Sequence, residues 1–180
     1  MRFICALPFV VIAALAALPA CSPFATYPPI EHTARLAPAT LPPVAGLMAE
    51  AIAHTNTNYG SGRDVFAVNL PPGVPEITYV KVLERLGPGA YVMTQDEQFA
   101  YHVTEARVRG AKAEVDVVFP REDGLFQLVT VYLKTNLVSG YRATDARAWR
   151  IEVQPMSPNY VPGPDPVEGE VVQAPEDFYQ

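Results

Sequence analysis

Apolar side chains recur along this chain with two different periods, and the change from one to the other divides it. Val44, Leu47, Met48, Ala51 and Ile52 stand at i, i+3, i+4, i+7 and i+8, the spacing of one helical face. The Pro42-Pro43 pair lies near the start of that helix, and residues 56–62 break it. Residues 64–70 read as a short strand ended by Pro71-Pro72-Gly73. A second helix carries an apolar face of Ile77, Tyr79, Val80, Leu83 and Leu86. It has Pro75 at its first turn, Glu76 beside the positive end of the dipole and Gly87-Pro88 as its stop.

From residue 90 onward the period becomes two. Residues 90–94 make a short strand, and longer runs cover 99–109, 113–119, 125–136 and 141–153. Arg109-Gly110, Asp123-Gly124 and Ser139-Gly140 lie at the breaks, where hairpin turns favour a positive φ. This order predicts an α+β fold: two N-terminal helices packed on a curved antiparallel β-meander of about four strands, spanning residues 44–153.

Composition marks off the ends. Nineteen prolines in 180 residues bunch between Pro19 and Pro43 and again from Pro155 onward. Residues 21–43 therefore read as a proline-rich tether, long enough to lift a domain roughly 25 Å from its point of attachment. Residues 154–180 add Asp165, Glu168, Glu170, Glu176 and Asp177, with no Lys or Arg after Arg150, and are expected to form a disordered acidic tail. A sharper reading makes that tail a docking segment whose Tyr160, Phe178 and Tyr179 engage a partner. The net charge of −6, with thirteen Lys and Arg scattered and no basic stripe, argues against a nucleic-acid partner.

The first residues add a location. Met1-Arg2 precedes an uncharged stretch over residues 3–18, the pattern of a secretory signal. Leu18-Pro19-Ala20-Cys21 at its end resembles the lipobox of bacterial lipoproteins, so residues 1–20 are read as the signal peptide. The resemblance implies cleavage before Cys21, diacylglycerol on its sulfur and acylation of the new amino terminus, an anchor with the several chains that stable attachment needs. Ser22, in place of the aspartate that tends to retain such proteins in the inner membrane, points to the outer membrane with the body facing the periplasm. An uncleaved transmembrane helix is the competing reading. Pro8 and Pro19 interrupt it, and no Lys or Arg stop-transfer flank follows. Cys5 falls within the discarded peptide, which leaves the body without a disulfide or thiolate metal site.

The order of helices and long strands, with Asn136-Leu137-Val138-Ser139-Gly140-Tyr141-Arg142 leading to Ala148-Trp149-Arg150-Ile151, resembles the cone-shaped nuclear-transport-factor-2-like domains. That fold hosts enzymes and binding modules alike. His102, Asp116 and Tyr132 on sequential strands form the candidate pocket, because a carboxylate beside an imidazole can act as an acid/base pair. Ala113, Val115, Val117 and Phe119 share one face of their strand, with Glu114 and Asp116 on the other, towards water. Trp149 and Tyr141 read as packing residues, flanked by Arg147 and Arg150 as solvated charges. No spacing among His32, His54 and His102 fits a metal site, and no cofactor motif is present. The expected function is non-enzymatic binding or scaffolding in the cell envelope, with an envelope protein as partner. The alternative is a small periplasmic enzyme working in the cone around His102.

Overall fold

The computed structural model describes residues 25–162 apart from 32, 37, 61, 97–98 and 137–139. Residues 1–20, read as a signal segment, Cys21, read as an anchor, and tail residues 163–180 lie outside the described residues. Among the described residues no helix is long and apolar enough to cross a membrane.

Helices form where the helical period runs. α1 spans Val44–Asn58 and buries all five residues of the periodic face. It ends where the N–H groups of Tyr59 and Gly60 both donate to the Thr55 carbonyl. α2 spans Glu76–Leu86, follows Pro75 and stops at Gly87, whose φ of 90° an L side chain resists. Its buried stripe is shifted from the expected one: Thr78, Tyr79 and Val82 are buried, whereas Ile77 and Val80 are exposed. The Tyr79 hydroxyl accepts from the Leu70 N–H at 3.1 Å, which draws that side of the helix onto the sheet.

The sheet overturns the expected fold class. It has eight strands and is mixed, so the protein is mostly sheet rather than two helices on a four-strand meander. β5 (Ala100–Arg109), β6 (Lys112–Pro120), β7 (Phe126–Asn136) and β8 (Gly140–Glu152) pair antiparallel in chain order. On the other side of β5, two partners share its length. β3 (Phe66–Asn69) runs parallel beside Ala100 to His102, and β1 (Ala25–Tyr27) antiparallel beside Ala106 to Val108. β4 (Ala90–Val92) pairs parallel with β3 to close a β–α–β unit through α2, and β2 (Ala34–Arg35) pairs parallel with β1. β1 and β2 are too short to show a period of two. β3 is buried at every position, so it carries no alternation from which to read a face.

Both ends of the body extend past the expected boundaries. The stretch read as a tether supplies β1 and β2, with Thr26 buried, its hydroxyl 2.6 Å from that of Thr33 and its carbonyl accepting from the Leu36 N–H. Residues 154–162, the start of the expected disordered tail, run back along the body as a strap. The buried amide of Asn69 holds it, donating to the Ser157 carbonyl at 2.9 Å and accepting from the Asn159 N–H at 2.9 Å. Tyr160 packs edge-on against Tyr79 and donates to Glu76 at 3.0 Å. Composition counts prolines and charges but not a buried amide positioned to grip an extended backbone, and that grip overcomes the ordering entropy here.

α1 lies across the inner face of β5 to β8. Val103, Ala106, Val115, Val117, Val129, Val131 and Leu133 are all buried there against Leu47, Met48 and Ile52. Each fully buried aliphatic side chain contributes about 2 kcal/mol, so this layer is the main source of stability. It also fixes which residues stand on the outer face: His102, Arg107, Glu114, Asp116, Thr130 and Tyr132.

Candidate functional site

A cleft of about 860 Å³ follows from an irregularity in β8. Gln127 pairs with Glu152 and Val129 with Ala148, so Trp149, Arg150 and Ile151 together stand opposite Leu128 alone. Extra residues in one strand bend it and re-aim its side chains. Gln127 spans the gap by donating from Nε2 to the Trp149 carbonyl at 2.9 Å. The cleft lies between this bulge, the β6–β7 turn and the end of α1.

Its walls are aromatic and its rim is charged. Tyr59, Phe119, Phe126 and Trp149 line it together with Arg121, Glu122, Asp123, Arg150 and Glu152. Phe119 is buried, and Tyr59 tilts against it with centroids 6.3 Å apart while donating to the Ala146 carbonyl at 3.2 Å. The turn is closed by the Arg121 N–H to the Leu125 carbonyl at 2.8 Å, by Gly124 at a φ of 81° and by an Arg121–Asp123 ion pair at 2.8 Å. Gly60 lines the cleft beneath the end of α1, where any side chain would run into the Tyr101 hydroxyl. Leu125 and Ile151 remain 43% and 53% exposed at the mouth.

Trp149 also belongs to a polar network on the outer face. Its Nε1–H donates to the Thr130 hydroxyl at 2.9 Å, and that hydroxyl donates to Asp116 at 2.6 Å. Asp116 takes both terminal nitrogens of Arg107, at 2.7 and 3.0 Å, while Glu105 and Glu114 bind the same guanidinium at 2.8 and 3.2 Å. Burial works against the charge of Arg107. The hydrogen bond and charge of Asp116, then Glu105 and Glu114, nonetheless hold it above its ordinary value. Arg147 lies over the indole with its guanidinium carbon 4.1 Å from the ring centroid, so it is a stacking partner rather than only a solvated charge.

His102, Asp116 and Tyr132 share the outer face but do not form one pocket. A bulge between Val103 and Glu105 shifts the register of β5, so His102 stands opposite Val118, whereas Asp116 stands opposite Glu105 and Thr130. Tyr132 lines a separate depression of about 350 Å³ with Glu114, Lys134 and Asp145. His102 is fully buried. Because Asn69 accepts through Oδ1 from the strap, its Nδ2 is the donor that reaches His102 Nδ1 at 3.2 Å, which leaves the proton on Nε2. That Nε2 has no hydrogen-bonding partner among the described residues, and burial pulls the imidazole down to about 4. A neutral, fully buried imidazole of this kind is not placed to exchange protons with a substrate.

Sequence reasoning missed Arg107, Thr130 and Asn69, since each acts through segments distant from it in the sequence, Arg107 and Thr130 across paired strands and Asn69 on the strap. Among the described residues no three His, Cys, Asp or Glu side chains are grouped so as to hold a metal ion. No family model, no curated protein and no solved structure matches the chain.

Proposed function

We propose that the protein is a bacterial lipoprotein, acylated at Cys21 and held on the periplasmic side of the outer membrane, whose body binds an envelope partner or ligand in the Trp149 cleft without catalysing a reaction. One observation carries the binding half of this reading. Three polar groups at the cleft are committed inside the fold, Trp149 Nε1 to Thr130, Gln127 to the Trp149 carbonyl and Arg121 to Asp123, and Glu122, Arg150 and Glu152 are exposed charges at its rim, while Leu125, Ile151 and Tyr59 keep apolar surface exposed. Such a surface recognises by shape and desolvation; an active site needs convergent polar groups free to react. The anchoring half rests on the lipobox residues Leu18-Pro19-Ala20-Cys21.

Trp149 is the only tryptophan in the chain, so its emission reports on the cleft. Fractionated envelope extract that contains the partner is expected to shift that emission, and Ile151→Asp is expected to remove the response with the fold intact. If no fraction shifts the emission, and Ile151→Asp cells show no envelope defect, the cleft is not the binding surface. Metabolic labelling with a clickable fatty acid tests the anchor: label lost in Cys21→Ala is the expected result, and label unaffected by that change rejects acylation at this residue.

A further inference from the structure

We propose that the end of the sheet where the chain enters the fold is a docking face for anionic phospholipid headgroups, an inference that rests on Cys21 being the lipid anchor. Ala25 stands opposite Val108, one residue before the end of β5, so the chain enters beside the β5–β6 turn. Only Ser22, Pro23 and Phe24 separate Cys21 from Ala25. A fully extended chain covers at most about 3.5 Å per residue, so Ala25 stands no more than roughly 14 Å from the anchor. The body is therefore held at the membrane surface rather than lifted from it.

What that end presents is cationic. Arg109 stands opposite Lys112, Lys112 opposite Lys134, and Lys134 opposite Arg142, while Arg35 lies on β2 beside Thr26. All five are exposed. Arg142 reaches Glu50 at 3.1 Å. Residues 109–112 and 134–142 contain no Asp or Glu at all. Like charges placed directly across a ladder destabilise it, so the row Lys112, Lys134, Arg142 is a cost to the fold that the Arg142–Glu50 pair relieves at one end. An anionic surface relieves it along the whole row. A chain with more Asp and Glu than Lys and Arg is repelled as a whole by such a surface, but attraction acts within about 8 Å at physiological ionic strength, so the cations nearest the anchor decide the outcome.

The same geometry orients the cleft. β6 runs from Lys112 at the cationic end to Pro120 at the cleft, about 26 Å at the usual rise of a strand. Docking through the cationic end turns the cleft away from the bilayer, towards whatever passes through the periplasm.

The test uses acylated full-length protein purified from membranes and placed in vesicles of phosphatidylcholine, alone or mixed in equal parts with phosphatidylglycerol. Hydrogen–deuterium exchange is followed over residues 107–114 and 132–142. Slower exchange on the anionic vesicles, reversed by high salt, is the expected result. Replacing Arg35, Arg109, Lys112 and Lys134 together by Ser is expected to abolish that protection, each charge being worth about a fivefold change in the docked-to-free ratio. Equal exchange on both vesicles, with acyl chains confirmed on Cys21 by intact mass, overturns the docking face and leaves the anchor standing. Acyl chains absent from Cys21 overturn both. Protection that appears in native membranes but on neither vesicle means a protein or glycan occupies this end, and also overturns the proposal.

Discussion

Arg107 and His102 stand on the same strand and the same face of the sheet, yet their surroundings are opposite. Arg107 keeps its charge, because Glu105, Glu114 and Asp116 surround it and solvent still reaches part of the side chain. His102 gives up its charge, because it is fully buried, with Asn69 on its Nδ1 and no partner for its Nε2 among the described residues. Burying an ionisable group leaves these two solutions, pairing or neutralisation, and a few residues of register decide between them. A histidine and an aspartate on adjacent strands therefore say nothing about catalysis until the ladder between them is known.

The contrast is most easily broken at Arg107. Arg107→Ala leaves three carboxylates close together without a cation, and is expected to cost roughly 3–5 kcal/mol in urea unfolding at neutral pH. A loss below about 1 kcal/mol would place the cluster with ordinary surface ion pairs. The His102 end is expected to show a pH dependence instead. Its folded value, about 4, lies below the ordinary 6.5, so the unfolded chain takes up the proton first. The contribution of His102 is then complete above pH 6.5, falls as pH drops from 6.5 towards 4, and is fully lost below, a total of about 3 kcal/mol. His102→Phe should flatten that part of the stability profile; an unchanged slope would show that the imidazole is not sealed. The smallest effect is expected where the Arg107 cluster meets the cleft. Thr130→Val removes the hydroxyl shared by Asp116 and Trp149, at a cost of about 1 kcal/mol. A shift in Trp149 emission should accompany it, and an unmoved spectrum would uncouple the network from the cleft.

Much of the local structure was legible from period alone. α1 and α2 lie on the two helical stretches, and β5 to β8 on the four long runs of alternation. The inward face of β6 is the one its alternation marks, with Val115 and Val117 buried and Glu114 and Asp116 outside. Proline content misled at both ends, since β1 and the strap owe their order to β5, Asn69 and Tyr79 rather than to their own composition. The cleft had no local signal either, because a bulge depends on the register of β7 against β8.

The sequence by itself determined the helices, the long strands and the inward faces of α1 and β6, because each is written in spacings of a few residues. Only the tertiary structure decided what stands beside what: β3 parallel to β5, three carboxylates on one arginine, a buried histidine beside Asn69, and five scattered cations drawn to the end where the chain enters. The physical reason is that pairing between distant segments is selected by the whole core closing at once, and a one-residue slip in any ladder exchanges its faces.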